Sequence, residues 1–246
     1  MNTIQNIKNN GNAVKAANKN ELVYMIGDTK ITLTPQTVRN YLVSGDKDRV
    51  TDQEIVVFMN LCRFAKLNPW LKEAYCIKYG SEPATMVTGK EAFTKRAEEN
   101  PLYDGYDAGI IVKTQDGDIV YRKGAMRTKD EDVVGGYAEV FRKDRTHPYR
   151  IEVSFDEYAG RKKDGTLTKQ WSDRPATMIR KVALVQALRE AFPKMLGGMF
   201  VAEEQGLDEE IKVDIPSEVV EQNVVESTAE VVEEPEQIQM EIETND

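Results

Sequence analysis

The chain is poor in the residues that hold metals and form disulfides. It has one histidine, His147, and two cysteines, Cys62 and Cys76, with no CxxC spacing. Common zinc sites draw on several His or Cys ligands, so zinc chemistry is not expected. Both cysteines sit in apolar patterns and read as buried thiols of a reducing cytoplasm. No apolar run approaches the roughly 20 residues of a membrane span. The N-terminus lacks the apolar stretch and small-residue cleavage site of a secretory signal. GxSxG, HExxH, GxxxxGK[ST] and GxGxxG are all missing. Asp104, Asp107 and Asp116 fall where turns and strand ends are expected, not at a spacing that clusters carboxylates on a metal ion. A catalytic site is therefore not expected.

What is abundant is charge, unevenly spread. The formal net charge is −9, yet residues 208–246 carry fourteen acids against Lys212 alone, which leaves the rest of the chain at +4. Cations concentrate between Tyr121 and Lys181, with fifteen Lys or Arg against ten acids. The first twenty residues hold seven Asn, three Lys and no acid. This composition divides the chain into a disordered, weakly basic arm (1–29), a core domain (30–206) and an acidic low-complexity tail (207–246). The tail has no aromatic or glycine and repeats VVE at 219, 224 and 231. It is expected to be largely disordered, with its apolar pairs available to bind a partner.

Within the core, Thr34–Val43 reads as a short helix with Pro35 in its first turn. Thr51 and Glu54 form a capping-box pattern. Ile55, Phe58, Met59, Cys62 and Ala65 then mark one buried helical face, stopped by Pro69. EAYCIKY and PATMV read as paired strands. Thr88 and Glu91 suggest a second capping box for a helix ending near Glu99. YDAGIIVK and DIVYRK flank an Asp116–Gly117 turn, and VVGGYAEVFRK and PYRIEVSF are two more strands. After DEYAG, read as one helical turn, and a basic loop, Ser172 or Asp173 caps a long helix with Pro175 in its first turn, and a short helix follows to about Glu204. This order predicts an α+β fold: antiparallel sheet and hairpins packed with helices, and a long C-terminal core helix.

Three basic clusters stand out: Arg142, Lys143, Arg145 and Arg150; Arg161, Lys162, Lys163 and Lys169; Arg174, Arg180, Lys181 and Arg189. Tyr137, Phe141, Tyr149, Phe155, Tyr158 and Trp171 are interleaved. Cations neutralise phosphates, and flat rings stack on bases. A solvated charged face over an aromatic core is the competing reading. Apolar residues nearly surround the long helix, so Arg180, Lys181 and Arg189 must reach outward or find anions. A carboxylate such as Asp173 or Glu190 would be a structural partner; a phosphate-lined groove would be a functional one. Trp171 fits a core or groove wall better than a base-stacking site, and His147 fits hairpin structure or a weak phosphate contact.

KLNPWLKEAYCI, VFRKDRTHP and QWSDRPATMIRKVALVQALREAF together resemble the Bet branch of phage single-strand annealing proteins, to which RecT is a more distant relative. The resemblance runs from Thr34 to Glu204. It implies sequence-independent binding of single-stranded DNA in a deep basic groove and pairing with a complement into an annealed duplex intermediate. It further implies homo-oligomeric rings or helical filaments in phage or prophage recombination. No nucleotide or other cofactor is implied, and a magnesium requirement stays open. The partners implied are a phage exonuclease and the host single-strand-binding protein. Residue by residue, the family's groove cations fall on Lys72, Lys143, Arg161 and Arg189, and residue type also matches at Arg142, Arg145, Arg180 and Gln186. Two groove lysines of the family correspond to Ala176 and Val182, with Lys181 beside the latter. The acidic tail stands where the family has a folded docking domain. A metal-dependent nuclease and a structural phage assembly protein are the rival readings.

Overall fold

The computed structural model describes residues 21–207, 211 and 213–226. It is α+β, as expected, and builds on three sheets. The largest joins β6 (Tyr103–Lys113), β7 (Ile119–Lys123), β8 (Asp132–Arg142) and β9 (Tyr149–Ser154) antiparallel in the order β7-β6-β8-β9. The β6–β7 turn closes as expected around Gly117, at φ +92°, with Gly117 N donating to Thr114 O at 3.0 Å.

One face of this sheet is covered by α6 (Pro175–Ala191). Ten of its residues are buried, from Ala176 to Ala191, so it is apolar nearly all round, as a core helix must be. Gly136 of β8 makes this packing possible. A Cβ there would lie 2.7 Å from the Ile179 carbonyl oxygen, so only glycine lets helix backbone and strand backbone approach this closely. The other sheet face is wet. There Arg150 pairs with Glu139 and Glu152, both at 2.7 Å, and its guanidinium lies over Tyr121 and Tyr137.

The second sheet runs β3 (Val43–Gly45), β4 (Ala74–Lys78), β5 (Thr85–Thr88). Its β4–β5 pair is the expected hairpin. β3 was not anticipated, and it pairs with β4 in parallel across α2 (Asp52–Phe64). The α2 capping box forms as expected: Thr51 N donates to Glu54 Oε2 at 2.8 Å and Glu54 N to Thr51 Oγ1 at 3.2 Å. Glu54 also accepts from Lys78 Nζ and from Ala84 N, each at 2.7 Å. The Lys78 bond first, then the Thr51 and Ala84 amides, pull its carboxyl down to about 2. α2 ends earlier than Pro69, because Lys66 turns out at φ +55°. Cys62 and Cys76 are free and buried, and burial raises both thiols, Cys76 to about 12.

Several expectations need correction. Gly89, not Thr88, precedes α3 (Lys90–Glu98), and no side chain caps it. Thr88 is held in β5, its amide committed to Phe200 O at 2.7 Å. A Cβ on residue 89 would meet Lys72 O at 2.8 Å, which selects glycine there. Ser172 and Asp173 do not cap α6 either. They belong to a separate short helix, α5 (Lys169–Asp173), and Arg174 joins the two.

The boundaries also shift. Leu22–Ile26, inside the expected arm, is a strand, β1, paired antiparallel with β2 (Thr29–Leu33). The expected tail contributes a helix over Ser217–Asn223 and a strand, Val224–Glu226, that pairs with β2 on its other edge. Thus the second VVE repeat is an ordered strand. The expectations for residues 1–20, 208–210, 212 and 227–246 lie outside the described residues.

Gly136→Ala is expected to destabilise the fold by about 2 kcal/mol, the cost of forcing a methyl between two backbones. Gly198→Ala, where a Cβ meets nothing within 4 Å, should change stability by less than about 0.5 kcal/mol. Urea unfolding of both variants checks this.

Candidate nucleic-acid interface

α6 presents its cations on a surface that other elements complete. Between α5–α6 and the β5–α3 junction lies a cleft of about 360 Å³. Gln170, Thr177, Arg180 and Lys181 line one wall; Tyr75, Gly89, Lys90 and Glu91 line the other. Val87, Thr88, Val201, Ala202, Glu203, Leu207 and Ile211 complete the lining. The N-terminus of α3 opens here, so its partial positive charge adds to the three cations.

The expected contact residues divide into two groups. The first is pinned by the protein's own acceptors. Arg142 donates to Asp144 at 2.8 and 2.7 Å and to Ala191 O at 2.6 Å, which ties the β8–β9 hairpin to the end of α6. Its guanidinium holds the Asp144 carboxyl below the usual carboxylate range. Arg189 makes a two-pronged pair with Glu204, at 2.9 and 2.6 Å, and reaches Met199 O at 3.1 Å. Gln186 donates to the Tyr158 hydroxyl at 2.8 Å. Lys181 pairs with Glu203. Arg161 touches Asp156 at 2.9 Å but stays exposed. The carboxylates that hold the helix cations are thus Glu203 and Glu204, not Asp173 or Glu190.

The second group is exposed and makes no ion pair with the described residues: Lys72, Lys143, Arg145, Lys162, Lys163, Lys169 and Arg174. Lys162 and Lys163 sit on a tight turn closed by an Arg161–Leu167 bridge, which feeds directly into α5 and Lys169. Lys72 holds a left-handed conformation, φ +63°, beside Gly89 at the cleft wall. Arg145 lies over the Tyr149 ring. Arg180 is intermediate: its Nε donates to Ala108 O at 3.1 Å, and no described carboxylate pairs with it.

The structure therefore gathers Arg180 and Lys181 in the cleft, with Lys162, Lys163, Lys169 and Arg174 at the α5 side of α6. Lys143 and Arg145 lie near the opposite end of α6. With a rise of about 1.5 Å per residue, the 17-residue helix separates these ends by about 25 Å. Trp171 is fully buried edge-on to Phe155, so it is a wall and not a stacking surface. His147 is exposed in the hairpin. Sequence reasoning missed Lys90, because Thr88 masked the Gly89 cap, and missed the acidic pair Glu203–Glu204.

A basic cleft beside exposed cations suits a polyanion. A model of the RecT family matches residues 28–218. The chain belongs to the RecT family. RecT proteins are annealing proteins of DNA recombination, so membership indicates single-strand annealing and implies binding of single-stranded DNA. No curated protein matches the chain. The RecT match extends past the expected core boundary at 206 and takes in Ile215 and Ser217, where the helix begins that leads back to β2.

Arg189→Ala should cost about 3 kcal/mol in thermal or urea unfolding, because it leaves the buried Glu204 carboxylate unpaired. Lys162→Ala with Lys163→Ala should leave stability within about 0.5 kcal/mol.

Proposed function

We propose that this RecT-family chain is an ATP-independent, sequence-independent annealing protein of phage or prophage recombination, working in the bacterial cytoplasm. The observation that carries the reading is the cleft where Arg180, Lys181 and Lys90 converge with the α3 N-terminus. Arg174, Lys169, Lys162, Lys163 and Arg161 lead a strand toward it, and Lys72 flanks it. Lys143 and Arg145 extend the track along α6, and Arg142, Gln186 and Arg189 shape it.

Phosphate contacts hold a backbone without reading sequence, and so leave base edges free to pair. A modest grip per subunit becomes tight when repeated along one strand, so the protein acts as a homo-oligomeric ring or filament. Its partners are a single strand made by a phage exonuclease, the complementary strand, and the host single-strand-binding protein.

The test mixes two complementary dye-labelled oligonucleotides, added in turn, and follows energy transfer without ATP. Faster pairing, with the paired product retained by the protein, is expected. Lys162→Ala with Lys163→Ala should slow it several-fold at moderate salt. Pairing no faster than without protein, even at low salt, would contradict the reading and favour a structural assembly role. Metal-dependent cleavage of the labelled strand would favour a nuclease.

A further inference from the structure

We propose that the cleft is a phosphodiester site which the chain keeps filled with its own anion, the Glu203 carboxylate, and that a bound strand takes over Lys181 by displacing it. The proposal rests on the nucleic-acid reading of the cleft and concerns how that site is held closed.

Glu203 and Glu204 are neighbours on one 3-10 turn, Ala202–Gln205, and both side chains are 5% exposed. Their surroundings differ. Glu204 is fully engaged: both oxygens accept from Arg189, and Oε2 also accepts from Val201 N at 3.2 Å. Glu203 is not. Its Oε1 accepts from Lys181, while its Oε2 is buried with no hydrogen-bond partner among the described residues. A buried carboxylate oxygen without a partner is unfavourable, and such atoms are rare in folded proteins. Glu204 is therefore the pin that fixes the segment, and Glu203 is the poorly satisfied occupant of the cleft.

The cleft is built for a larger anion than one carboxylate on a fixed turn. Among the described residues, Arg180 uses only its Nε, on Ala108 O. Lys90 has a loose contact to Glu91 at 3.4 Å. The α3 N-terminus has no side-chain cap, and such helix ends accept phosphates. A phosphodiester, its single negative charge shared over two oxygens, can bridge Lys181 and Arg180 together, which Glu203 does not do.

The local backbone permits the exchange. The Glu203 turn ends at Gly206, in a left-handed conformation at φ +67°. Glu204 N donates to Val201 O at 3.2 Å at its start, and Gly206 N to Glu203 O, at 3.3 Å, and Leu207 N to Ala202 O, at 3.0 Å, close its end. The segment before it is anchored independently, with Met199 and Val201 buried and Phe200 O bonded to Thr88 N. The Glu203 side chain can leave and its turn can loosen without unseating that anchor.

The experiment measures binding of fluorescein-labelled oligo-dT by the full chain, comparing wild type, Glu203→Gln and Asp130→Asn. Asp130 is exposed and does not line the cleft, and its variant removes the same single charge. Glu203→Gln is expected to bind about ten-fold tighter, Asp130→Asn less than about two-fold tighter, and the Glu203→Gln gain should vanish in a Lys181→Met background. Equal affinities for wild type and Glu203→Gln, or an equal gain in both charge variants, would overturn the proposal while leaving DNA binding intact. No oligo-dT binding by any variant at low salt would overturn the nucleic-acid reading along with it. If Glu203→Gln does not fold, amide exchange in the wild-type chain decides. The Gly206 and Leu207 amides should exchange faster with oligo-dT bound. Slower exchange there would sink the displacement.

Discussion

The close approach of α6 to β8 at Gly136 is the constraint on which the rest depends. It sets the depth of the helix against the main sheet. That depth decides which α6 residues are core and which cations emerge. Ile179, Val182 and Ala183 are fully buried. Arg180 and Lys181, between them in sequence, are forced to the cleft rim and reach acceptors at Ala108 O and Glu203. A helix held farther from the sheet would leave both free in solvent and would dissolve the cleft wall. The helix is amphipathic only in this narrow sense: nearly all of its surface is packed, and its few charges are placed by where the packing stops.

The second organising feature is how the acids are distributed. A cation with a well-placed carboxylate is a structural staple, and one without is available to a ligand. Arg142 ties the hairpin to the helix end, Arg150 organises the wet face of the sheet, and Arg189 anchors the segment after α7, Pro193–Leu196. Among the described residues, the expected contact cations without a carboxylate partner, Arg180 apart, lie on the 161–167 turn, around α5, beside Gly89 and in the β8–β9 hairpin. All are exposed and mounted on short, hydrogen-bonded turns. Such a surface suits a protein that holds a strand by its backbone and leaves the bases facing a complement.

Much of this was legible in local sequence. The Thr51–Glu54 capping box, the face of Ile55, Phe58, Met59 and Cys62, the Asp116–Gly117 turn and the core character of α6 all follow from spacing within a few residues. What escaped depends on distant backbone. The three-residue β3 exists because β4 lies parallel to it across a helix. Gly89 replaces Thr88 as the start of α3 because the Lys72 carbonyl presses on that position. Val224–Glu226 is a strand because β2 offers an edge. The partners of Lys181 and Arg189 lie 22 and 15 residues away, beyond any helical repeat, so residue type alone could not separate staple from free cation. The distinction needs the fold.

The central claim is that a single strand is held by its phosphates in the cleft formed by α6 and the α3 junction. The most direct measurement is the salt dependence of oligonucleotide binding by the wild-type chain and by Arg180→Ala with Lys181→Ala, both verified as folded. Each neutralised phosphate on a single strand contributes about 0.7 to the slope of log K against log salt. The account predicts that losing both cations lowers the slope by about 1.4, equally for oligonucleotides of different sequence. An unchanged slope would place the strand elsewhere on the molecule.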